Sequence, residues 1–583
     1  MAPTRTHRAL DTPAATGYEV LVAGWLARRR DHGGVTFIDL RDASGLVQVV
    51  ADPQLLPEVA DLPMESCIAV RGKVQPRPPG TVNDELPTGS VEVAAEEITI
   101  LSPSDPLPFM LDDRVEIDER IRLQYRYLDL RRPRMAANLR ARSRATSAIR
   151  RVLDERGFLE VETPTLIRAT PEGARDMLVP SRLRPGSFYA LPQSPQLFKQ
   201  LLMVSGVERY FQIARCYRDE DFRADRQLEF TQLDLEGAFW DEGGVQEVIE
   251  ATIAAVVKEL REHDPVTPFR RLTWQQAMDR FGVDKPDLRF GMEIRDLTGL
   301  FSGSEFLGFA GAIESRGVVR GINTGVRDLA RSAADALVEE AKRLGAKGLV
   351  WMVVEGDGSL RSPVAKFLSA DEQAGIIDHL EGKPGEVLLL IADQWRTAVE
   401  VLGALRLQLG KPSGHHDLAF VWITDFPMFE ATEGGLTFLH HPFTSPQDID
   451  VMAARPLEAL SRAYDVVVNG IELGSGSIRI HNPDVQRKVF DVLGMSPDEQ
   501  ENRFGWFLRA LRFGTPPHGG FAFGIDRLVM VLQEEANIRE VIPFPKTQTG
   551  FDPLTESPTE VTSDQLSELG LELRREAPEA RRE

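Results

Sequence analysis

The stretch from residue 209 to 239 carries the side-chain types that hold a polyphosphate. RYFQIARCYR and EFTQLDLEGAF alternate apolar and polar residues and are rich in β-formers, so each is expected to be a strand. Between them RDEDFRADRQ is a hairpin-sized loop dense in both signs of charge. Its guanidinium forks match phosphate oxygens two at a time. A solvated surface hairpin is the alternative for such a loop taken alone. The outgoing strand argues for a pocket. Gln232 and Asp234 fall on one side at period two, Glu236 follows, and polar residues repeated on one face of a β-rich strand mark a wet site. A second block, GFAFGIDRLVMVL, adds Arg527 between glycine-rich chain and an apolar helix-like run.

The rest of the chain has to position these blocks. At 583 residues it is too long for one core, and three or four domains are expected. Hydrophobic and charged fractions of 42% and 27% are those of an ordinary globular protein. No apolar run reaches membrane-spanning length, and the N-terminus lacks a signal-peptide core, so no membrane association and a cytoplasmic location are expected. Cys67 and Cys216 lack metal-ligand spacing and read as reduced, buried residues. The net charge of −21 argues weakly against a nucleic-acid partner, because binding depends on a local basic face. Such faces are available at Arg28, Arg29 and Arg30 and in the arginine-rich stretch 131–151.

Along the chain, residues 19–101 read as five short strands that suit an OB-type barrel, although any small barrel fits the pattern. SPSDPLPFMLD reads as a linker and 131–156 as a positively charged helix. Residues 291–414 interrupt the flanking pattern with strands and helices of their own and no dense cluster of catalytic types. The tail, 563–583, is charged and helix-like.

These motifs resemble the three signatures of class II aminoacyl-tRNA synthetases: a first ending at Pro164, a second around Arg218, and GFAFGIDRL as the third. TPEGARD, QSPQLFKQ, RDEDFRADRQ and HHPFTSP together resemble the bacterial aspartyl-tRNA synthetases, and the resemblance runs from about Tyr18 to Thr559. It implies a multidomain α/β (α+β) chain. The expected divisions are an OB-fold anticodon-binding barrel at 1–104, a hinge at 105–135, an antiparallel-sheet catalytic core at 136–290 and 415–560, an inserted α/β domain at 291–414, and a charged tail at 561–583.

The implied reaction is activation of aspartate by ATP followed by transfer to the 3′ end of tRNA. It calls for cations and metal-binding carboxylates in place of a nucleophilic triad. By resemblance, Arg218 sits on the α-phosphate and the aspartate carboxylate, and Arg527 holds the far phosphate. Asp219, Glu220, Gln227, Glu472, Gly524, Ile525 and Asp526 complete the ATP site, with Gly520 and Gly524 letting adenine approach closely. Asp465 and Glu472 match carboxylates that coordinate Mg2+. Lys199 and Arg479 match the cation pair that reads the substrate side-chain carboxylate and disfavours asparagine. Asp234 is expected to hold that pair, with Gln196, Glu172, His440 and His441 around the amino acid.

In the barrel, Arg30, Phe37 and Gln48 match anticodon contacts, while a buried barrel Phe is the alternative for Phe37. His32 and Gly80 resemble the relaxed type that charges tRNA-Asn as well as tRNA-Asp, the alternative being an exposed turn residue and a loop glycine. A homodimer and, with relaxed specificity, a tRNA-dependent amidotransferase partner are implied by the same resemblance. Asparaginyl- and lysyl-tRNA synthetases, an aspartate–ammonia ligase, an inactive RNA-binding relative and a strictly tRNA-Asp-specific enzyme are the rival readings. GARDMLVPS, QLFKQ, the Lys199/Arg479 pair and the long insertion oppose the first two, the N-terminal barrel opposes the third, and the intact Arg218 and Arg527 oppose the fourth.

Overall fold

Alternation decides both sheets that matter for function. The computed structural model describes residues 4–32, 34–54, 56–57, 62–169, 173–221, 223–410 and 417–573. It divides into two compact units, Met1–Asp118 and Glu119–Glu583.

In the first unit, Glu19–His32, Val35–Arg41, Leu46–Ala51, Cys67–Pro76 and Val91–Ser102 close into a barrel. Ile38, Leu40, Val47 and Val49 point into its core, which leaves Phe37, Asp39, Gln48 and Val50 on the outer face. Cys67, at the start of its strand, is half-buried, whereas Cys216 of the second unit is buried as expected.

The second unit is built on an eight-stranded sheet. Its strand order is Arg270–Thr273, Phe420–Thr424, Ala463–Val468, Ile471–Ile478, His518–Gly524, Glu229–Ala238, Arg209–Tyr217 and Leu159–Glu160. Only the two outermost pairings are parallel. The helices Pro133–Glu155, Glu242–Arg261 and Ile525–Leu532 cover one face, burying Ile149, Ile249 and Leu528 against Leu233, Leu235, Tyr464 and Phe521. Asp241 caps the second of them by accepting from the Gly244 N–H. A separate five-stranded sheet, ordered Arg295–Asp296, Val318–Val326, Glu386–Asp393, Val350–Val354 and Leu360–Arg361, packs against helices that include Trp395–Leu409. At the other end of the chain, the described part of the tail holds one short helix, Ser563–Glu568, capped by Thr562.

The arginine-rich helix pairs several half-exposed arginines with glutamates of the same unit. Arg144 and Arg151 pair with Glu259, Arg150 with Glu160, and Arg156 with Glu247. Ahead of it, fully buried Asp129 gathers Arg122, Arg126 and Arg132 at 2.9, 2.6 and 3.4 Å. Arg126 then donates to the backbone carbonyls of Arg539, Ile542 and Pro543, fastening the C-terminal segment. Removing one partner of a buried ion cluster strands the others. Asp129→Ala is therefore expected to destabilise this unit by about 3 kcal/mol. A lowered denaturant midpoint with unchanged slope checks it, and an unchanged midpoint would refute it.

Candidate active site

Strand register brings the polar residues of three strands into rows. Glu236 lies opposite Gly520, and Gly520 opposite Ser477. One row along, Asp234 faces Ala522, which faces Ser475, which faces Asp465. In the third row Gln232 faces Gly524. Leu233, Leu235, Phe521 and Phe523, at the alternate positions, fill the core on the other face. The polar face forms the floor of a cavity of about 1470 Å³.

At its closed end four buried charges compensate one another. Lys199, from the helix Gln196–Val204, sits 2.8 Å from Asp234 and 3.2 Å from Glu236. The Arg479 Nε donates to the other oxygen of Glu236 at 3.0 Å. All four side chains are at most 2% exposed. Burial would raise the Glu236 pKa, but the charges of Arg479 and Lys199 hold it below the usual carboxylate range. Burial does raise that of Asp234, against the pull of Lys199. His441 is pushed far down by burial and by Arg479, so it is neutral, and its Nε2 accepts from an Arg479 Nη at 2.5 Å.

Several buried polar atoms along this wall lack a hydrogen-bond partner among the described residues: the Asp234 oxygen turned away from Lys199, Gln196 Nε2 and His440 Nδ1. Unmet polar groups beside a cavity are costly unless a ligand completes them. Acceptors next to a donor and a paired cation set suit an amino acid.

The other half of the cavity brings together two further arginines and two carboxylates. Arg218 lies over the Phe230 ring at 5.0 Å and makes no ion pair among the described residues. Arg527, in the first turn of Ile525–Leu532, is held by the Asp225 carboxylate at 3.2 Å and by the Glu472 carbonyl at 2.9 Å. Asp465 and Glu472 line the same region, with His440 Nε2 3.2 Å from Asp465. Burial, and then the neighbouring Asp465 charge, raise the Glu472 pKa. Burial would depress His440, yet the Asp465 charge lifts it above its ordinary value.

Other expected site residues are engaged elsewhere. Gln227 lines the cavity, but both ends of its amide bond the Lys546 backbone. The Asp526 carboxylate accepts from the Thr231 N–H and contacts Arg142, and Ile525 is wholly in the core. Asp219 and Glu220 line the cavity, with Glu220 paired to Arg226 at 3.1 Å. Glu172 lies outside the described residues. Gly520 has a role not foreseen: a Cβ there would collide with the Glu236 carboxylate, so this glycine makes room for the ion cluster rather than for adenine. Gly524 has only ordinary contacts to the Arg527 side chain at a would-be Cβ. Glu236 itself was legible only as the next polar residue at period two.

In the barrel unit, Arg30 and Phe37 are cross-strand partners, and Gln48 pairs with Asp39 on the same outer face. Arg30 bonds Asp39 at 2.8 Å, and Gln48 donates to Glu92. Phe37 is half-buried and outside the core, which removes the buried-barrel alternative. His32 is exposed at a strand end, and Gly80 is an exposed loop glycine with φ of 83°.

The family model for class II tRNA synthetases (D, K and N) matches residues 118–548, and that for the OB-fold nucleic acid binding domain matches 20–101. The chain is a class II tRNA synthetase. The aspartate–tRNA(Asp/Asn) ligase of Moorella thermoacetica is 52% identical over 571 residues, covering 96% of this synthetase and 95% of that protein. The protein of the same name from Thermobifida fusca is 51% identical, with coverages of 97% and 98%. Among solved structures, asparaginyl-tRNA synthetase from Pyrococcus horikoshii, complexed with asparaginyl-adenylate, superposes with a TM-score of 0.57 at 19% identity, covering 92% of this chain and 96% of that one. A chain from Leishmania major Friedlin gives 0.59 at 20% identity, covering 94% of each. At such identities the superpositions speak for the fold. Among the described residues, no helix of the synthetase is long and apolar enough to cross a membrane.

Proposed function

We propose that this synthetase activates L-aspartate with ATP and esterifies the 3′ end of tRNA-Asp, and that it also charges tRNA-Asn. The observation that carries the amino-acid assignment is the buried Lys199–Asp234–Glu236–Arg479 cluster beside unsatisfied acceptors and a donor. Asp234 takes the substrate ammonium, and the cations take the side-chain carboxylate. Asparagine would bring a neutral amide to cations arranged for a charge.

Attack by the aspartate α-carboxylate on the α-phosphorus needs the nucleophile in line and charge neutralised as pyrophosphate departs. Arg218, between the amino-acid and phosphate halves, orients both reactants, and Arg527 fixes the leaving group. Asp465 and Glu472 would hold a Mg2+ ion, whose charge would relieve the pressure that burial and the neighbouring Asp465 charge put on the Glu472 carboxylate. Such an ion supplies charge neutralisation; the residues named supply alignment.

On the outer face of the barrel unit, Phe37, Arg30 and Gln48 read the anticodon, Phe37 by stacking. Leu166, Leu178, Leu183 and Phe188 are exposed on and beside the hairpin of Leu178–Pro180 with Phe188–Ala190, which supports association of two copies. Both relatives described above carry tRNA(Asp/Asn) in their names, in keeping with the reading of His32 and Gly80, and a relaxed enzyme would hand its product to a tRNA-dependent amidotransferase.

The test is aspartate charging of purified tRNA-Asp and tRNA-Asn transcripts. Both should be charged, and His32→Leu is expected to lower kcat/KM on tRNA-Asn by about tenfold, with little change on tRNA-Asp. Charging of tRNA-Asp alone by the unaltered protein would reduce the reading to a strictly specific enzyme. Charging of neither would leave an RNA-binding relative.

A further inference from the structure

A buried imidazole that the reaction above does not use lies close enough to Glu236 and Arg479 to feel both charges. It belongs to His518, which opens the strand His518–Gly524 and is wholly buried. Its main-chain carbonyl accepts the Arg479 N–H at 2.9 Å. Its side chain meets two other elements. Nδ1 lies 2.8 Å from the Pro516 carbonyl, so that nitrogen carries a proton, and Nε2 lies 3.4 Å from the amide oxygen of Gln200. Gln200 follows Lys199 on the helix Gln196–Val204 and is itself wholly buried. One residue therefore touches both segments that supply the paired cations: Arg479 through the main chain, and the Lys199 helix through the side chain.

We propose that the Gln200–His518 contact positions Lys199 relative to Arg479 and so governs recognition of the substrate side-chain carboxylate. The inference rests on the aspartate reading above. An imidazole whose Nδ1 donates offers Nε2 as an acceptor when it is neutral. Burial lowers the His518 pKa, against the pull of the Glu236 charge, and so favours that neutral form. The Gln200 Nε2 has no hydrogen-bond partner among the described residues, and a half-turn of its amide brings this donor to the imidazole. Placement decides what the contact does. Gln196, Lys199 and Gln200 share one helix face at i, i+3 and i+4. Lys199 meets Asp234 and Glu236 on one strand, and Gln200 meets His518 on the next. A single polar contact lets a helix roll slightly about its axis; a second contact, to another strand, stops it. Leu197 also packs with Phe443 and Phe507, which keeps the helix docked but, being non-directional, does not fix the reach of the Lys199 ammonium.

Two substitutions at one position separate this role from a purely structural one. His518→Gln keeps a polar group where Nε2 lies and gives up the donor to Pro516; His518→Asn does the reverse. In aspartate-dependent ATP–pyrophosphate exchange, His518→Asn and Gln200→Leu should each raise the KM for aspartate by roughly tenfold, the loss of one buried polar contact. The kcat and the KM for ATP should change little, and the preference for aspartate over asparagine should narrow. His518→Gln should stay near the unaltered values. The double variant Gln200→Leu/His518→Asn should be no worse than either single one, because both break the same contact. A His518→Gln enzyme as impaired as His518→Asn, or more so, would assign the imidazole to the Pro516 turn and overturn the proposal. Additive losses in the double variant would do the same. An unaltered protein that shows no aspartate-dependent exchange would sink the aspartate reading itself, before any variant is compared.

Discussion

Arg218→Ala is expected to slow aspartate-dependent ATP–pyrophosphate exchange by about 10³-fold, almost entirely in kcat. The size follows from its situation. Arg218 is the cavity-lining motif arginine that no carboxylate holds among the described residues, and its guanidinium rests on the Phe230 face at 5.0 Å. Stacking fixes the plane of the fork while leaving its N–H donors for oxygen atoms. Such donors contribute most where charge develops, so the loss should fall on the chemical step rather than on ATP binding. Lysine restores the charge but not the planar fork, so Arg218→Lys should recover little. Arg527 differs. Asp225 and the Glu472 carbonyl already position it, and its replacement should raise the KM for ATP together with a smaller fall in kcat. Single-turnover exchange kinetics separate the two. An Arg218→Ala enzyme impaired mainly in KM would remove Arg218 from the transition state.

The parts of this site that could be read from the sequence are those with local signatures. The two strands around the Arg218 loop, their period-two polar face, and the glycine-rich strand running into an apolar helix are written in consecutive residues, and they form as read. The five barrel strands are legible for the same reason. Partner choice inside the site is not local. Whether Asp234 or Glu236 neutralises Arg479 depends on the register between Glu229–Ala238 and His518–Gly524, strands nearly three hundred residues apart in sequence. The same register sets Gly520 under Glu236, so a glycine that looked like room for a nucleotide is room for a carboxylate. Gln227 and Asp526 show the converse. They sit within the motifs, but their polar atoms bond Lys546 and Thr231, tertiary neighbours that no spacing announces. The arginine-rich stretch 131–151 read equally as a nucleic-acid face or a solvated helix, and the glutamates that pair with its half-exposed Arg144, Arg150 and Arg151 come from other elements that its sequence does not announce.

The second large effect is expected at that ion cluster. Glu236→Gln should lower kcat/KM for aspartate by about 10²–10³-fold, because it removes the carboxylate shared by Lys199 and Arg479. Lys199 keeps Asp234, but Arg479 would be left as a buried guanidinium facing neutral His441 and the Ser477 hydroxyl. A buried charge without its partner relocates, neutralises or recruits water, and each outcome spoils recognition of a substrate carboxylate. Gly520→Ala tests the same point without altering charge. Its Cβ would meet the Glu236 carboxylate and the Leu235 carbonyl, so the cluster has to shift although every ionisable group is retained. Both variants should lose discrimination between aspartate and asparagine in pyrophosphate exchange, a readout that general loosening of the fold would not single out. ATP affinity should change little, since Arg218 and Arg527 approach the cavity from other elements. Wild-type kcat/KM and selectivity in Gly520→Ala would show that the position of Glu236 does not govern the site. The cluster would then be a structural tie between the helix Gln196–Val204 and the sheet.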